Sequence, residues 1–256
     1  MLNGKTIMVT GVGGGLGREC VEAALRDGAN VVMAARTRAT LDALAAELGD
    51  DRLAAVVADI TDEAACTALV EAAKERFGSV DALIQVAAHE NAWGGLWDLK
   101  FQNWRDAYET NVIGALTLIR PVATAMKEAG GGSIVLIGSQ SMFKPALPQA
   151  GYAASKGALL TTAYYLAHEL GEFNIRCNMV VPSWMWGPPV EMLVDWQAKE
   201  KGVGRAEALH DIAGEFPLRR MTEDGEVADV AMFFASDHAK AVTGQHLLVN
   251  AGEMMS

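Results

Sequence analysis

A doubly wound α/β domain, one parallel sheet with helices on both faces, is the fold class the sequence predicts. Three observations predict it. The 256 residues suit one large domain of this class. Short apolar runs alternate with stretches of helical periodicity along nearly the whole chain. The first apolar run ends in a cluster of glycines from which a helix begins.

Residues 6–9 form a short apolar run closed by Gly11 and read as a buried strand. Apolar residues then recur at helical spacing over 16–27, and the Val-rich run 29–35 is the second strand. Residues 41–48 read as helix, 53–58 as strand and 62–77 as helix. Asp62 and Glu63 stand in the first turn of that helix, where negative charge suits the dipole. Residues 82–88 are the fourth strand. The stretch 101–129 is helical, bent near Asn111, and broken by Gly130, Gly131 and Gly132. Strand 133–138, helix 149–170, strand 175–181, helix 226–236 and strand 247–249 complete the alternation. Between Pro182 and Pro217 only helical-looking pieces occur, without a strand. A long excursion inside a compact domain is usually a functional lid, here placed at 183–216 of one domain spanning 1–256.

Composition excludes several classes. With 51% hydrophobic residues and only 7 Pro, the chain is neither disordered nor fibrous. A net charge of −11 gives a field of the wrong sign for nucleic acid. No apolar stretch is long enough to span a bilayer, and no signal peptide is evident. Cys20, Cys66 and Cys177 lie far apart and are expected to be reduced core thiols of a cytoplasmic protein. The five histidines lack paired zinc spacing, so no metal is expected.

Two constellations carry chemistry. Thr10-Gly11-Val12-Gly13-Gly14-Gly15-Leu16-Gly17 joins the first strand to its helix. Glycines allow a tight turn and a close approach to pyrophosphate, which the helix N-terminus then faces. Taken alone, the turn also fits a purely structural bend. Tyr152 and Lys156, in Tyr152-Ala-Ala-Ser155-Lys156, lie at i and i+4 on one helix face. An ammonium there is expected to lower the tyrosine pKa and ready it for proton exchange with an alcohol or carbonyl. Taken alone, the pair also fits a solvated helix surface.

Together the two motifs resemble the short-chain dehydrogenase/reductase family, over roughly residues 4–252. Asp81-Ala-Leu-Ile84, Thr110-Asn111-Val112-Ile113-Gly114, Gly138-Ser139 and Arg176-Cys-Asn178 to Pro182 match its intermediate motifs. The resemblance implies a Rossmann-type fold and an NAD(P)-dependent oxidoreductase interconverting a ketone and a secondary alcohol. It implies Tyr152 as the general acid or base and Lys156 as its support and a ribose ligand. Ser139 would hold the substrate oxygen, and Asn111 would anchor a relay water. Cofactor contacts are implied for Gly11, Gly13, Gly14, Gly15, Leu16, Asp59, Ile60, Ala87, Pro182 and Met185. The sequence departs from the family where Gln85-Val86-Ala87-Ala88 replaces N-N-A-G, where Ser183 replaces Gly, and where Gly187 stands for a common Thr.

At the end of the second strand the usual acid of an NAD site is Ala35, and Arg36 follows. An arginine fork suits a 2′-phosphate, so NADP(H) is favoured over NAD(H). The family's substrate segments here carry Trp93 and Trp97, Met142 and Phe143, and Trp184 and Trp186 continued by Val190, Met192, Leu193 and Trp196, so the expected substrate is a bulky, hydrophobic, uncharged ketone or alcohol. The resemblance also implies a homotetramer or homodimer. Two other readings share these features: a 3-ketoacyl-type reductase, and a catalytically idle dinucleotide-sensing regulator.

Overall fold

The computed structural model describes residues 1–255. In chain order its strands are β1 (Thr6–Thr10), β2 (Asn30–Ala35), β3 (Leu53–Val57), β4 (Ala82–Gln85), β5 (Gly132–Ile137), β6 (Ile175–Pro182), β7 (Met185–Trp186), β8 (Thr222–Glu223) and β9 (His246–Val249). The helices are α1 (Leu16–Arg26), α2 (Arg38–Leu48), α3 (Glu63–Phe77), α4 (Phe101–Tyr108), α5 (Ala115–Ala129), α6 (Ala150–Leu170), α7 (Pro188–Lys201), α8 (Arg205–Ala213) and α9 (Asp224–Ala235). Seven strands form one parallel sheet in the order β3-β2-β1-β4-β5-β6-β9. The order reverses between β1 and β4, so a crevice opens there at the carboxyl ends of the strands.

Alternation along each strand divides the core. Met8 of β1 packs with α3, α5 and α6 on one face, while Ile7 and Val9 pack with α1, α2 and α9 on the other. Asp62 caps α3 by accepting from the amides of Ala64 and Ala65 at 2.8 and 3.1 Å. Asp81 enters β4 with its carboxylate on the Thr6 amide at 2.7 Å, which pins β4 beside β1. The Arg176 and Asn178 side chains bond the carbonyls of Phe234, Ser236 and Val242, tying β6 to the segment that leads into β9.

Three local expectations change. The long helix is three pieces, because a π-helical turn over Glu109–Gly114, which contains Asn111, separates α4 from α5. β4 stops at Gln85, whose side-chain amide turns back to the Ala87 carbonyl at 3.1 Å. The lid does contain a strand: β7 pairs with β8 through Met185–Thr222 and Trp186–Glu223. A two-residue pairing has no periodicity for a sequence pattern to carry. The lid also has its own small core of Val194, Ala208, Ala213, Phe216 and Met221. No helix among the described residues is long and apolar enough to cross a membrane.

Candidate active site

A cleft of about 1200 Å³ occupies the crevice and runs from the end of β2 to the lid. Its floor is the turn after β1. Gly11 has φ +70°, and a Cβ there would sit 2.4 Å from the Ala87 amide nitrogen. A Cβ on Gly17 would lie 2.5 Å from the Gly11 carbonyl, so both positions require glycine to close the turn. Gly13 and Gly14, by contrast, have nothing within 4 Å on that side. The backbone therefore presents an open cradle at the start of α1, suited to a dinucleotide pyrophosphate. Gln85 replaces the family's first Asn and still closes this region, accepting from the Thr10 hydroxyl while donating to Ala87.

At one end of the cleft stand Ala35, Arg36, Thr37, Asp59 and Ile60. Arg36 is exposed and makes no ion pair or hydrogen bond among the described residues. Backbone and hydroxyl donation from Thr61, and then the Arg36 charge, hold the Asp59 carboxyl below its usual range. Asp224, at the first turn of α9, reaches Gly15. Its Oδ2 lies 3.2 Å from where a Gly15 Cβ would stand, and burial raises its pKa, with Glu19 and Glu223 adding to the shift.

At the other end α6 and the end of β5 bring Ser139, Tyr152 and Lys156 together. Gly151 lets the Trp104 ring lie against α6 one residue before Tyr152. Lys156 is buried and donates to the Ile137 carbonyl at 2.7 Å, with Nζ 5.6 Å from the Tyr152 ring centroid. The buried Asn111 carboxamide accepts from the His89 amide at 2.6 Å. It donates to the His89 carbonyl at 3.0 Å and to Ser155 Oγ at 2.9 Å. Ser155 in turn donates to the Tyr152 carbonyl at 2.7 Å. Ser139 Oγ lies 2.9 Å from Ser141 Oγ.

The electrostatics differ from the expectation that Lys156 lowers the tyrosine pKa. Burial pushes the Tyr152 phenol above its usual value, the Glu90 carboxylate adds to this, and the Ser139 hydroxyl opposes it. Burial brings Lys156 down to about 8, against the pull of Glu90. Lys156 is itself desolvated and turned toward Ile137, so burial outweighs any help it gives the phenol.

Of the cofactor residues predicted from sequence, Gly11, Gly13, Gly14, Gly15, Leu16, Arg36, Asp59, Ile60, Ala87, Pro182 and Met185 all line the cleft. Of the pocket residues, Trp93 and Trp184 line it. Met142, Phe143 and Trp186 do not. Met142 packs on the main core, and Phe143 lies against His246 with ring centroids 5.4 Å apart. Trp186 joins the lid core, with the Arg205 guanidinium 5.8 Å from its ring. Val190, Met192, Leu193 and Trp196 of the same lid segment do furnish apolar wall, together with Leu147, whereas Trp97 is exposed and does not line the cleft. Sequence reasoning missed Glu90 and Asp224. It quoted Ser155 within its motif without giving it a part, although a hydroxyl inside the Tyr–Lys spacing was the available signal.

A family model described as enoyl-(acyl carrier protein) reductase matches residues 11–253. The 7alpha-hydroxysteroid dehydrogenase of Escherichia coli K12 is 31% identical over 98% of this chain and 94% of its own length. The L-rhamnose 1-dehydrogenase (NAD(P)(+)) of Azotobacter vinelandii is 34% identical over 98% and 97%. Levodione reductase superposes with a TM-score of 0.89 at 26% identity, covering 99% of this chain and 98% of that one. With this fold, this cleft and these relatives, the chain belongs to the short-chain dehydrogenase/reductase family and is an oxidoreductase acting on CH–OH groups with NAD(P).

Proposed function

We propose that this enzyme interconverts bulky, hydrophobic, uncharged ketones and secondary alcohols, with NADP(H) favoured over NAD(H). One observation carries the reading. A single cleft joins a glycine cradle and an unpaired Arg36 at one end to Ser139, Tyr152 and Lys156 under an apolar lid at the other. The bound nicotinamide supplies or accepts the hydride. The chain's own residues position the substrate and move a proton.

In reduction the Tyr152 phenol donates its proton to the carbonyl oxygen, which the Ser139 hydroxyl holds in place. Lys156 holds the ribose side and resupplies the proton through the relay. The Asn111 side chain is already committed to His89 and Ser155, so its part is to fix the π-helical turn and the β4 loop. A relay water would then be held by main-chain atoms.

Support for the substrate class comes from Leu147, Trp184, Met192, Leu193 and Trp196 on the cleft wall, and from the steroid-acting relative. A polyol or sugar substrate is the second reading. It is favoured by Glu90 and Gln149 on the same wall and by the rhamnose-acting relative. A panel of cyclic, terpenoid-like and aryl ketones against sugars and polyols, read at the nicotinamide absorbance with both cofactors, decides between them. Sugar turnover above that of every ketone would replace the first reading by the second.

We further propose a cytoplasmic homotetramer or homodimer built on α6 and the neighbouring π-helical turn. The exposure of Ile113, Tyr164 and Tyr165 supports it. Light scattering that gives a monomer at micromolar concentration would refute it.

A further inference from the structure

The C-terminal turn reaches three parts of the cleft's surroundings. Ala251 at φ 52° and Gly252 at φ 85° are both left-handed and fold residues 250–253 back on the body. Asn250 stabilises the turn by accepting from the Gly252 amide at 3.0 Å. The turn then meets the far foot of the lid. The Leu218 amide donates to the Ala251 carbonyl at 3.2 Å, and Pro217 packs so closely that a Cβ on Gly252 would lie 2.6 Å from it.

Glu253 points inward, with its side chain 5% exposed. One carboxylate oxygen accepts from the hydroxyl of Ser183, the first residue of the lid, where the family pattern has glycine. The other accepts from Lys144 Nζ at 3.0 Å. Lys144 lies five residues beyond Ser139. Beside it, the Asn250 carboxamide donates to the buried Gln140 side chain at 2.5 Å, immediately after Ser139. Burying a carboxylate is costly unless it is bonded, and here both oxygens are bonded to different segments.

We propose that residues 250–253 are a positioning element, with Glu253 at its centre, that ties both feet of the lid to the loop carrying Ser139. Ser183 supplies the hydroxyl that makes the lid's first residue part of this tie. Through it, closure of the lid and placement of Ser139 become one event rather than two. The kinetic part of the test rests on the reading of Ser139 given above; the exchange part does not.

The test is hydrogen exchange by mass spectrometry on full-length Glu253→Ala, Glu253→Gln and Ser183→Ala. In Glu253→Ala, amides of 140–147 and of 183–187 are expected to exchange at least about fivefold faster, with β1 and α9 unchanged. Glu253→Gln keeps an acceptor and should recover part of the protection. On the ketone that the panel ranks first, Glu253→Ala should raise KM and lower kcat/KM about tenfold while NADPH affinity stays within twofold. Faster exchange confined to the tail, or spread evenly over the sheet, would overturn the proposal. An unchanged KM would overturn its coupling to Ser139. If Glu253→Ala does not fold, Ser183→Ala and Lys144→Met carry the same measurements, each removing one bond of the tie.

Discussion

The cofactor half of the cleft and its lid half are built by different physics. On the cofactor side, side chains hang from the ends of β1, β2, β4 and β5. Those strands are buried on both faces and register-locked to their neighbours. On the lid side, the walls are apolar side chains on the segment around the two-residue strand β7 and on α7, held by a core of five buried residues. The first half has its positions fixed by the two buried cores that pack the faces of the sheet. The second divides its apolar residues between its own stability and the ligand. A site of the first kind should lose chemistry when a residue is changed, and one of the second kind should lose stability or selectivity.

The largest expected effect sharpens this contrast. Tyr152→Phe keeps the ring packing on α6 and removes only the transferable proton. Turnover should fall on the order of 10²–10⁴-fold with dinucleotide affinity nearly intact. Single-turnover kinetics beside a cofactor titration measure both. Near-normal turnover would remove Tyr152 from the proton step and take the chemistry out of the rigid half.

Next in size is Arg36→Ala. Among the described residues its guanidinium has no partner at the end of β2 beside Ala35, so its loss should weaken NADP by about one to two decades and NAD by less than threefold. A wild-type enzyme that binds NAD more tightly would contradict the assignment before any variant is made.

The lid provides the third test through two tryptophans two residues apart. Trp186 packs in the lid core, so Trp186→Ala should cost about 2 kcal/mol, below the 3–5 kcal/mol of a fully buried ring, and shift the thermal midpoint. Trp184 also faces the cleft, so Trp184→Ala should change the ratio of kcat/KM between large and small ketones several-fold. Swapped outcomes would mean that the lid closes with a different packing from the one described.

The same contrast explains what was legible in the sequence. The five inner strands, buried on both faces, write themselves as apolar runs, and the half-buried edge strands β3 and β9 still carry short apolar runs, so all seven strands of the main sheet were legible to within a few residues. Gly11 and Gly17 were legible because backbone closure there admits no Cβ. The Tyr152–Lys156 spacing was legible because it is a local property of one helix. Which tryptophan faces the ligand was not, because hydrophobicity has no term for whether a ring meets the protein or its substrate. Met142, Phe143 and Trp186 were expected at the pocket for that reason. Glu253 meeting Ser183 was illegible too, since 70 residues separate partners that only the finished fold brings together. The direction of the Tyr152 shift was misjudged because spacing reveals a neighbouring charge and not the depth of burial.

The smallest effect concerns the place where the two halves touch. Asp224 follows β8, the partner of lid strand β7, yet its carboxyl lies against Gly15 on the floor of the cofactor cradle. Burial raises its pKa, and the charges of Glu19 and Glu223 raise it further. A pyrophosphate held on the same turn would add negative charge and raise it again. The ionised carboxylate and the phosphates therefore oppose each other, whereas the protonated acid does not. As pH falls through the raised pKa, Asp224 gains its proton and dinucleotide affinity should rise. As pH climbs past it, affinity should decline. At partly screened range the repulsion is modest, so Asp224→Asn should tighten binding at neutral pH by about threefold and flatten the pH dependence. NADH is the right probe, because its diphosphate does not titrate in this range whereas the 2′-phosphate of NADPH does. Calorimetric titration of wild type and variant from acid to mildly alkaline pH reads the effect. If the two curves run parallel, Asp224 does not sense the phosphates, and the junction between lid and cradle is steric rather than electrostatic.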